Sequence, residues 1–240
     1  MLKYARGENM KPIIGIAPRV MTYSNNYKVQ VNVSYLTPFN KRNFNVIILP
    51  IDNPNIEELL PLCDGFLIPG GDDIDPKWYN ESNDEGLSKD IDPLLDEVDN
   101  IIIQYAIKNS VPTLGICRGV QSLAAFLDGS LHQDIAHDNL RHEFEDHKHM
   151  VSTMENTKLS SLFPKEFLIN SYHHQVVKKV PSNFMVTHRY QDVIEGIAHE
   201  TLPIFGVQWH PERIDSHESE IIFDYFASLV NEYYKQKTDE

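Results

Sequence analysis

Cysteine is scarce in this chain: Cys63 and Cys117 are the only two in 240 residues. Two thiols build no disulfide framework, and such usage fits a reducing compartment. Basic residues are scarce too. Against 35 Asp and Glu stand 21 Lys and Arg, a formal net charge of −14. That argues against a nucleic acid or an anionic membrane surface as partner, since both need basic patches. It does not argue for a cationic ligand, because surface carboxylates commonly serve solubility. Long apolar runs are missing: Ile13 to Ala17, which follows a polar stretch from Met1 to Asn9, is too short for a signal h-region or a membrane span. Repeats and Gly/Ser linkers are missing as well. The expectation is a cytoplasmic protein with one domain over residues 10–236. Residues 1–9 would be a loose extension before Met10.

What is present is an alternation of short β-branched runs with helical segments. Strands are expected at Lys11–Ala17, Asn45–Pro50, Cys63–Pro69 and Val111–Ile116, and Phe205–Glu212 reads as another strand running into a turn. Helices are expected over Gln30–Asn40, Ile56–Leu60, Leu94–Lys108 and Val120–Leu127. In the last helix Ile221, Tyr225, Leu229 and Tyr233 recur every fourth residue, and Asp215 or Ser216 can cap it. Asn80–Asp92 is acidic and polar and reads as a solvated loop. Residues 137–193 are more broken, as shorter strands and loops. The pattern predicts an α/β fold: a doubly wound, mostly parallel sheet flanked by helices, with functional groups beyond the carboxyl ends of its strands.

The stretch around which the rest is arranged is Gly115-Ile116-Cys117-Arg118-Gly119-Val120-Gln121. A buried strand, a tight Gly-x-Cys-x-Gly turn and a helix make the layout of a nucleophile elbow, with cysteine in place of serine. The helix start directs free N–H groups and its positive dipole end at the sulfur, which favours the thiolate. The competing reading is a buried, inert thiol. A thiol nucleophile needs a base, and eleven histidines are available. His210 lies at the end of a strand, two residues before Glu212, a carboxylate able to orient an imidazole. On its own His210 reads better as a polar strand-end residue. With Cys117 the two complete a nucleophile, base and orienter.

These segments, with Gly206-Val207-Gln208-Trp209-His210-Pro211-Glu212, resemble the two signatures of class I glutamine amidotransferase domains. Ile68-Pro69-Gly70-Gly71-Asp72-Asp73-Ile74-Asp75-Pro76 with Tyr79, and Asn170-Ser171-Tyr172-His173-His174-Gln175, are similar to the γ-glutamyl peptidase branch, which includes γ-glutamyl-γ-aminobutyrate hydrolases. The resemblance implies a flavodoxin-like fold with Cys117 as nucleophile, His210 as base and Glu212 as its orienter. It implies an oxyanion hole made of the backbone N–H groups of Gly71 and Arg118, the Arg118 side chain not being needed. Gly70, Gln121 (one helical turn after Cys117), Tyr172, His173 and His174 would line the substrate site. No cofactor and no metal are implied. Neighbouring His173 and His174 would diverge, and His137, His142, His147 and His149 match no zinc spacing.

The chain departs from the branch pattern at Leu95, where arginine is usual, and at Asp99, where glutamate is usual. Asp128 and Asp192 stand in place of glycines. None of the four is expected to touch Cys117, His210 or Glu212, but they can reshape the pocket mouth. Three functions follow from the resemblance: a free-standing hydrolase of small γ-glutamyl amides, a glutaminase subunit feeding a separate synthetase, or a non-catalytic binding protein. A homodimer suits the family, and no feature of the sequence decides it.

Overall fold

The computed structural model describes residues 10–23, 26–140, 142 and 146–239; the expected extension at residues 1–9 lies outside them. The chain enters through strand β1 (Ile13–Ile16), a hairpin of β2 (Arg19–Tyr23) and β3 (Asn26–Gln30), helix α1 (Val33–Lys41) and β4 (Asn45–Ile48). Short α2 (Ile56–Leu59), β5 (Gly65–Ile68), α3 (Pro93–Asn109), β6 (Thr113–Ile116) and α4 (Arg118–Ala125) follow. Then come β7 (Ser130–His132), β8 (Lys148–Thr153), β9 (Glu166–Asn170), β10 (Val176–Lys179), β11 (Phe184–Tyr190), β12 (Val193–His199) and β13 (Ile204–Val207). The chain closes with α5 (His217–Asp239).

Five strands in the order β4-β1-β5-β6-β13 pair in parallel and form the heart of the sheet. Beyond β13 the sheet continues antiparallel through β12, β11, β8 and β9, with β10 and β7 branching from β12. Side chains alternate across the parallel strands. Ile14, Ile16, Leu67 and Ile116 pack against Phe39 of α1 and Phe226 of α5. Phe66 and Ile68 face the other way, with Ile102 and Ile103 of α3 and Leu123 of α4. Both faces are covered, so these strands read as continuous apolar runs.

Two expectations need correction. The helix expected over Gln30–Asn40 starts at Val33, because the Asn32 side chain accepts the Ser34 N–H at 3.0 Å and caps it there. Gln30 ends β3, opposite Arg19 in a two-stranded sheet of its own. That hairpin was not expected. Tyr27 and Val29 are both about half exposed, so no burial alternation marks it. Nor is the Asn80–Asp92 loop wholly solvated: Ser88 is buried and its hydroxyl accepts from Gln175 Nε2 at 3.0 Å. Of the two candidate caps of α5, it is Ser216 whose hydroxyl accepts the Ser219 N–H, at 3.2 Å.

The geometry that positions the site is the approach of α4 to β5. A Cβ on Gly119 would sit 2.0 Å from the Ile68 carbonyl oxygen, so only glycine lets the helix start so close to the sheet.

Candidate active site

Cys117 is the one residue between β6 and α4. Its backbone sits at φ 54 and ψ −107, a conformation that costs a side-chain-bearing residue free energy. Its N–H donates to the Val207 carbonyl at 2.8 Å, which holds the turn against β13. Arg118 opens α4, so its N–H is among those a helix leaves without an intrahelical acceptor.

His210 follows β13 and is fixed from three sides. Its backbone N–H donates to Asn170 Oδ1 and its carbonyl accepts from Asn170 Nδ2, both at 2.8 Å. Its Nδ1 lies 2.7 Å from Glu212 Oε1, leaving Nε2 as the nitrogen for the sulfur. The Tyr35 hydroxyl lies 3.4 Å from the same Nδ1 and accepts the Gly70 N–H at 3.0 Å. A Cβ on Gly70 would meet His210 Cε1 and the Tyr35 hydroxyl at 2.8 Å each, so the loop rests directly on the imidazole. Burial pulls the His210 pKa down. Hydrogen bonds and charge from Cys117 and Glu212 outweigh it and push the group up to about 9. His210 therefore keeps its second proton through neutral pH.

The loop after β5 is held from behind. Arg19 Nε donates to the Gly70 carbonyl at 2.8 Å, Arg19 Nη2 donates to the Pro69 carbonyl, and Arg118 Nε donates to the Asp72 carbonyl at 2.7 Å. A trans peptide points its C=O and N–H in opposite directions. With the Gly70 carbonyl tied to Arg19, the Gly71 N–H is turned away from Arg19. Among the described residues this N–H has no acceptor. Both guanidinium groups are buried on carboxylates of α3. Arg118 binds Asp96 at 2.6 Å and also Asp99; Arg19 binds the two Asp99 oxygens at 3.1 and 3.2 Å. Gly70, Gly71, Cys117 and His210 open onto one cleft of about 730 Å³.

A family model described as Peptidase C26 matches residues 12–212. The chain belongs to the Peptidase C26 family. Relatives in sequence include the γ-glutamyl-γ-aminobutyrate hydrolase PuuD of Escherichia coli, 33% identical over 200 residues that cover 76% of this chain and 78% of PuuD. A glutamine amidotransferase-like protein of Lactococcus lactis, YvdE, is 32% identical over 81% of this chain and 86% of its own length. Among solved structures, a glutamine amidotransferase from Thermotoga maritima superposes with a TM-score of 0.58 at 15% identity, covering 97% of this chain and all of its own. A candidate GMP synthase protein from Thermoplasma acidophilum reaches a TM-score of 0.69 at 20% identity, with 96% and 99% covered. These two show the fold: that of class I glutamine amidotransferases.

In this Peptidase C26 chain, Tyr172 joins the four cleft residues, its ring within 5.8 Å of the Arg213 guanidinium. Glu212 lies behind His210, fully buried. Three residues expected at the substrate site do not line the cleft. The Gln121 side chain donates to the Gln175 carbonyl at 2.9 Å and to Gln208 Oε1 at 3.2 Å. His173 turns into a buried histidine cluster around Glu195, and His174 lies 3.0 Å from Asp73 and 3.3 Å from Asp134. The two histidines, consecutive in the loop between β9 and β10, thus point to different partners. Sequence reasoning missed Tyr35, Arg19 and Asn170. Tyr35 and Arg19 stand on the N-terminal segment, far from any glycine motif. Leu95, one of the departures from the branch pattern, does line the cleft. No helix among the described residues is long and apolar enough to cross a membrane.

The His210–Glu212 contact makes a pH prediction. An imidazolium held up to about 9 is lost only as pH rises through that value. Glu212→Gln removes one cause of the upward shift, so the alkaline limb of kcat/KM should move to lower pH. kcat should fall at least about 10²-fold as the imidazole loses its orienter. A pH–rate profile of both proteins checks this; an alkaline limb that stays in place would rule out Glu212 as the cause.

Proposed function

We propose that the protein hydrolyses γ-glutamyl amides through a γ-glutamyl thioester on Cys117. The supporting observation is a strained cysteine at a helix start that shares one cleft with the Gly70-Gly71 loop and with an imidazole that Glu212 orients. The Cys117 thiolate attacks the γ-carbonyl carbon, and the carbonyl π electrons move onto oxygen. The N–H groups of Gly71 and Arg118 hold that oxyanion, fixed before the reaction by Arg19 and by the helix start. The oxyanion collapses, the C–N bond breaks, and the leaving amine takes its proton from His210. Water then gives a proton to His210 as it attacks the thioester. The second collapse breaks the C–S bond, releases glutamate and restores the thiolate–imidazolium pair. This route needs no metal at the reacting atoms. PuuD supports the γ-glutamyl side of the reading.

Glutamate release from γ-glutamyl-γ-aminobutyrate, from other γ-glutamyl amides and peptides, and from free glutamine tests it. The reading expects γ-glutamyl amides to be turned over with glutamine a poor substrate. Slow turnover of glutamine alone would replace it with a glutaminase subunit serving a separate synthetase. Inactivity on the whole panel would leave a binding protein.

A further inference from the structure

Behind the strand that carries His210 lies a second cluster of titratable groups which the proposed reaction does not use. Glu195 of β12 is fully buried. Its Oε1 lies 3.0 Å from His149 Nε2, 3.5 Å from His142 Nε2 and 4.0 Å from His173 Nε2. The three histidines come from β8 and from two loops, so the set is assembled only by folding. The His142 ring centroid is 4.9 Å from that of His149 and 4.8 Å from that of His173.

The hydrogen bonding of His173 is the telling feature. Its Nδ1 lies 3.2 Å from the Gln175 carbonyl, an acceptor, so Nδ1 carries the proton. Its Nε2 is then a bare lone pair, buried, without a hydrogen-bond partner and directed at the Glu195 carboxylate. Glu195 Oε2 is likewise buried without a partner. One cluster therefore holds two buried acceptors without a donor, His173 Nε2 and Glu195 Oε2, which is costly unless a cation serves them.

We infer that His142, His173 and Glu195 form a binding site for a divalent transition metal of the zinc class, with His149 as the fourth group at hand. Donor atoms of the first three lie within 4.8 Å of one another. A tetrahedral zinc with bonds of about 2.0–2.2 Å sets its ligands roughly 3.3–3.6 Å apart, so a small rotation of the imidazoles closes the shell. The His173 N–H to a backbone carbonyl is the supporting contact typical of a ligating histidine. Two or three imidazoles with one carboxylate suit zinc better than magnesium or calcium. With His149 as the fourth ligand the shell has no open position, so the site is structural. What it braces is the Asn170–His173 segment. Asn170 clamps the His210 backbone, and the Tyr172 ring lies 6.1 Å from the His210 imidazole.

The test uses the full chain, stripped with a chelator and then titrated with Zn²⁺ alone. Expected are one zinc per chain by elemental analysis after gel filtration and a rise in Tm of roughly 5–10 °C at a hundredfold excess over Kd. Co²⁺ in place of zinc should give tetrahedral d–d absorption. Glu195→Gln and His173→Asn should each abolish binding, whereas Asp138→Asn, which alters the surface contact to His132 and His137, should leave it intact. Should Glu195→Gln not fold, His142→Asn, changed nearer the surface, carries the same prediction. A stripped chain that takes up no zinc, or whose uptake and Tm shift survive both His173→Asn and His142→Asn, overturns the site.

Discussion

Cys117→Ala is expected to lower kcat at least about 10⁴-fold while the protein folds as before. A nucleophile, its base and its orienter act as one unit, so removing the first forfeits nearly the whole effect. What survives is oxyanion stabilisation and binding, which carry no covalent route. The same position gives a stability prediction of opposite sense for a second substitution. Alanine keeps a Cβ at φ 54 and so keeps the strain of the elbow. Glycine relieves strain of about 1–3 kcal/mol and adds about 0.5–1 kcal/mol of chain entropy cost. Cys117→Gly should therefore be inactive and more stable than Cys117→Ala by about 0.5–2 kcal/mol. Glutamate release and urea unfolding of the two variants decide both points. Turnover of the alanine variant within tenfold of the parent would remove Cys117 from the chemistry. A glycine variant less stable than the alanine one would show that the elbow is not strained.

The elbow was legible because its demands are local. A buried parallel strand announces itself as a short β-branched run, and a helix start that presses on the sheet needs glycine at 119. The His210–Glu212 contact spans two residues and was equally readable. The groups that hold these parts were not. Asn170 reaches His210 across 40 residues and Arg19 reaches Asp99 across 80, and neither carries any periodicity that a sequence scan can weigh. In the β2–β3 hairpin Met21, Tyr27 and Val29 are about half exposed, so the apolar pattern that reveals β1 and β5 is missing there. His173 was the instructive case. Its motif placed it next to Tyr172, but the loop between β9 and β10 sends its side chain to Glu195. Only the fold reveals that it meets Glu195, 22 residues on, rather than the cleft.

Arg118 illustrates the same limit and leads to the second large effect. Its backbone was expected to matter and its side chain was not, yet that side chain is among the largest fully buried ones and ties the Asp72 carbonyl to α3. Asp99 is the hinge of this arrangement, since both Arg19 and Arg118 rest on it. Asp99→Ala leaves two buried guanidinium groups with only Asp96 between them, and breaking a buried ion pair from one side costs about 3–5 kcal/mol. Against a total of about 5–15 kcal/mol, that brings the protein near its unfolding threshold. Arg19→Met separates stability from chemistry. Asp99 keeps Arg118, so the stability loss should be the smaller of the two. The Gly70 carbonyl, however, loses the donor that turns the Gly71 N–H away, and a misplaced oxyanion donor costs about 10²–10³ in kcat. The expected pattern is a lower kcat at little change in KM for Arg19→Met, and a lower urea midpoint for Asp99→Ala. Asp99→Glu, which keeps the charge but lengthens a fully buried side chain, should fall between Asp99→Ala and the parent. Equal kcat in Arg19→Met and the parent would mean that the loop holds its conformation without Arg19, and the orientation of the Gly71 N–H would need another cause.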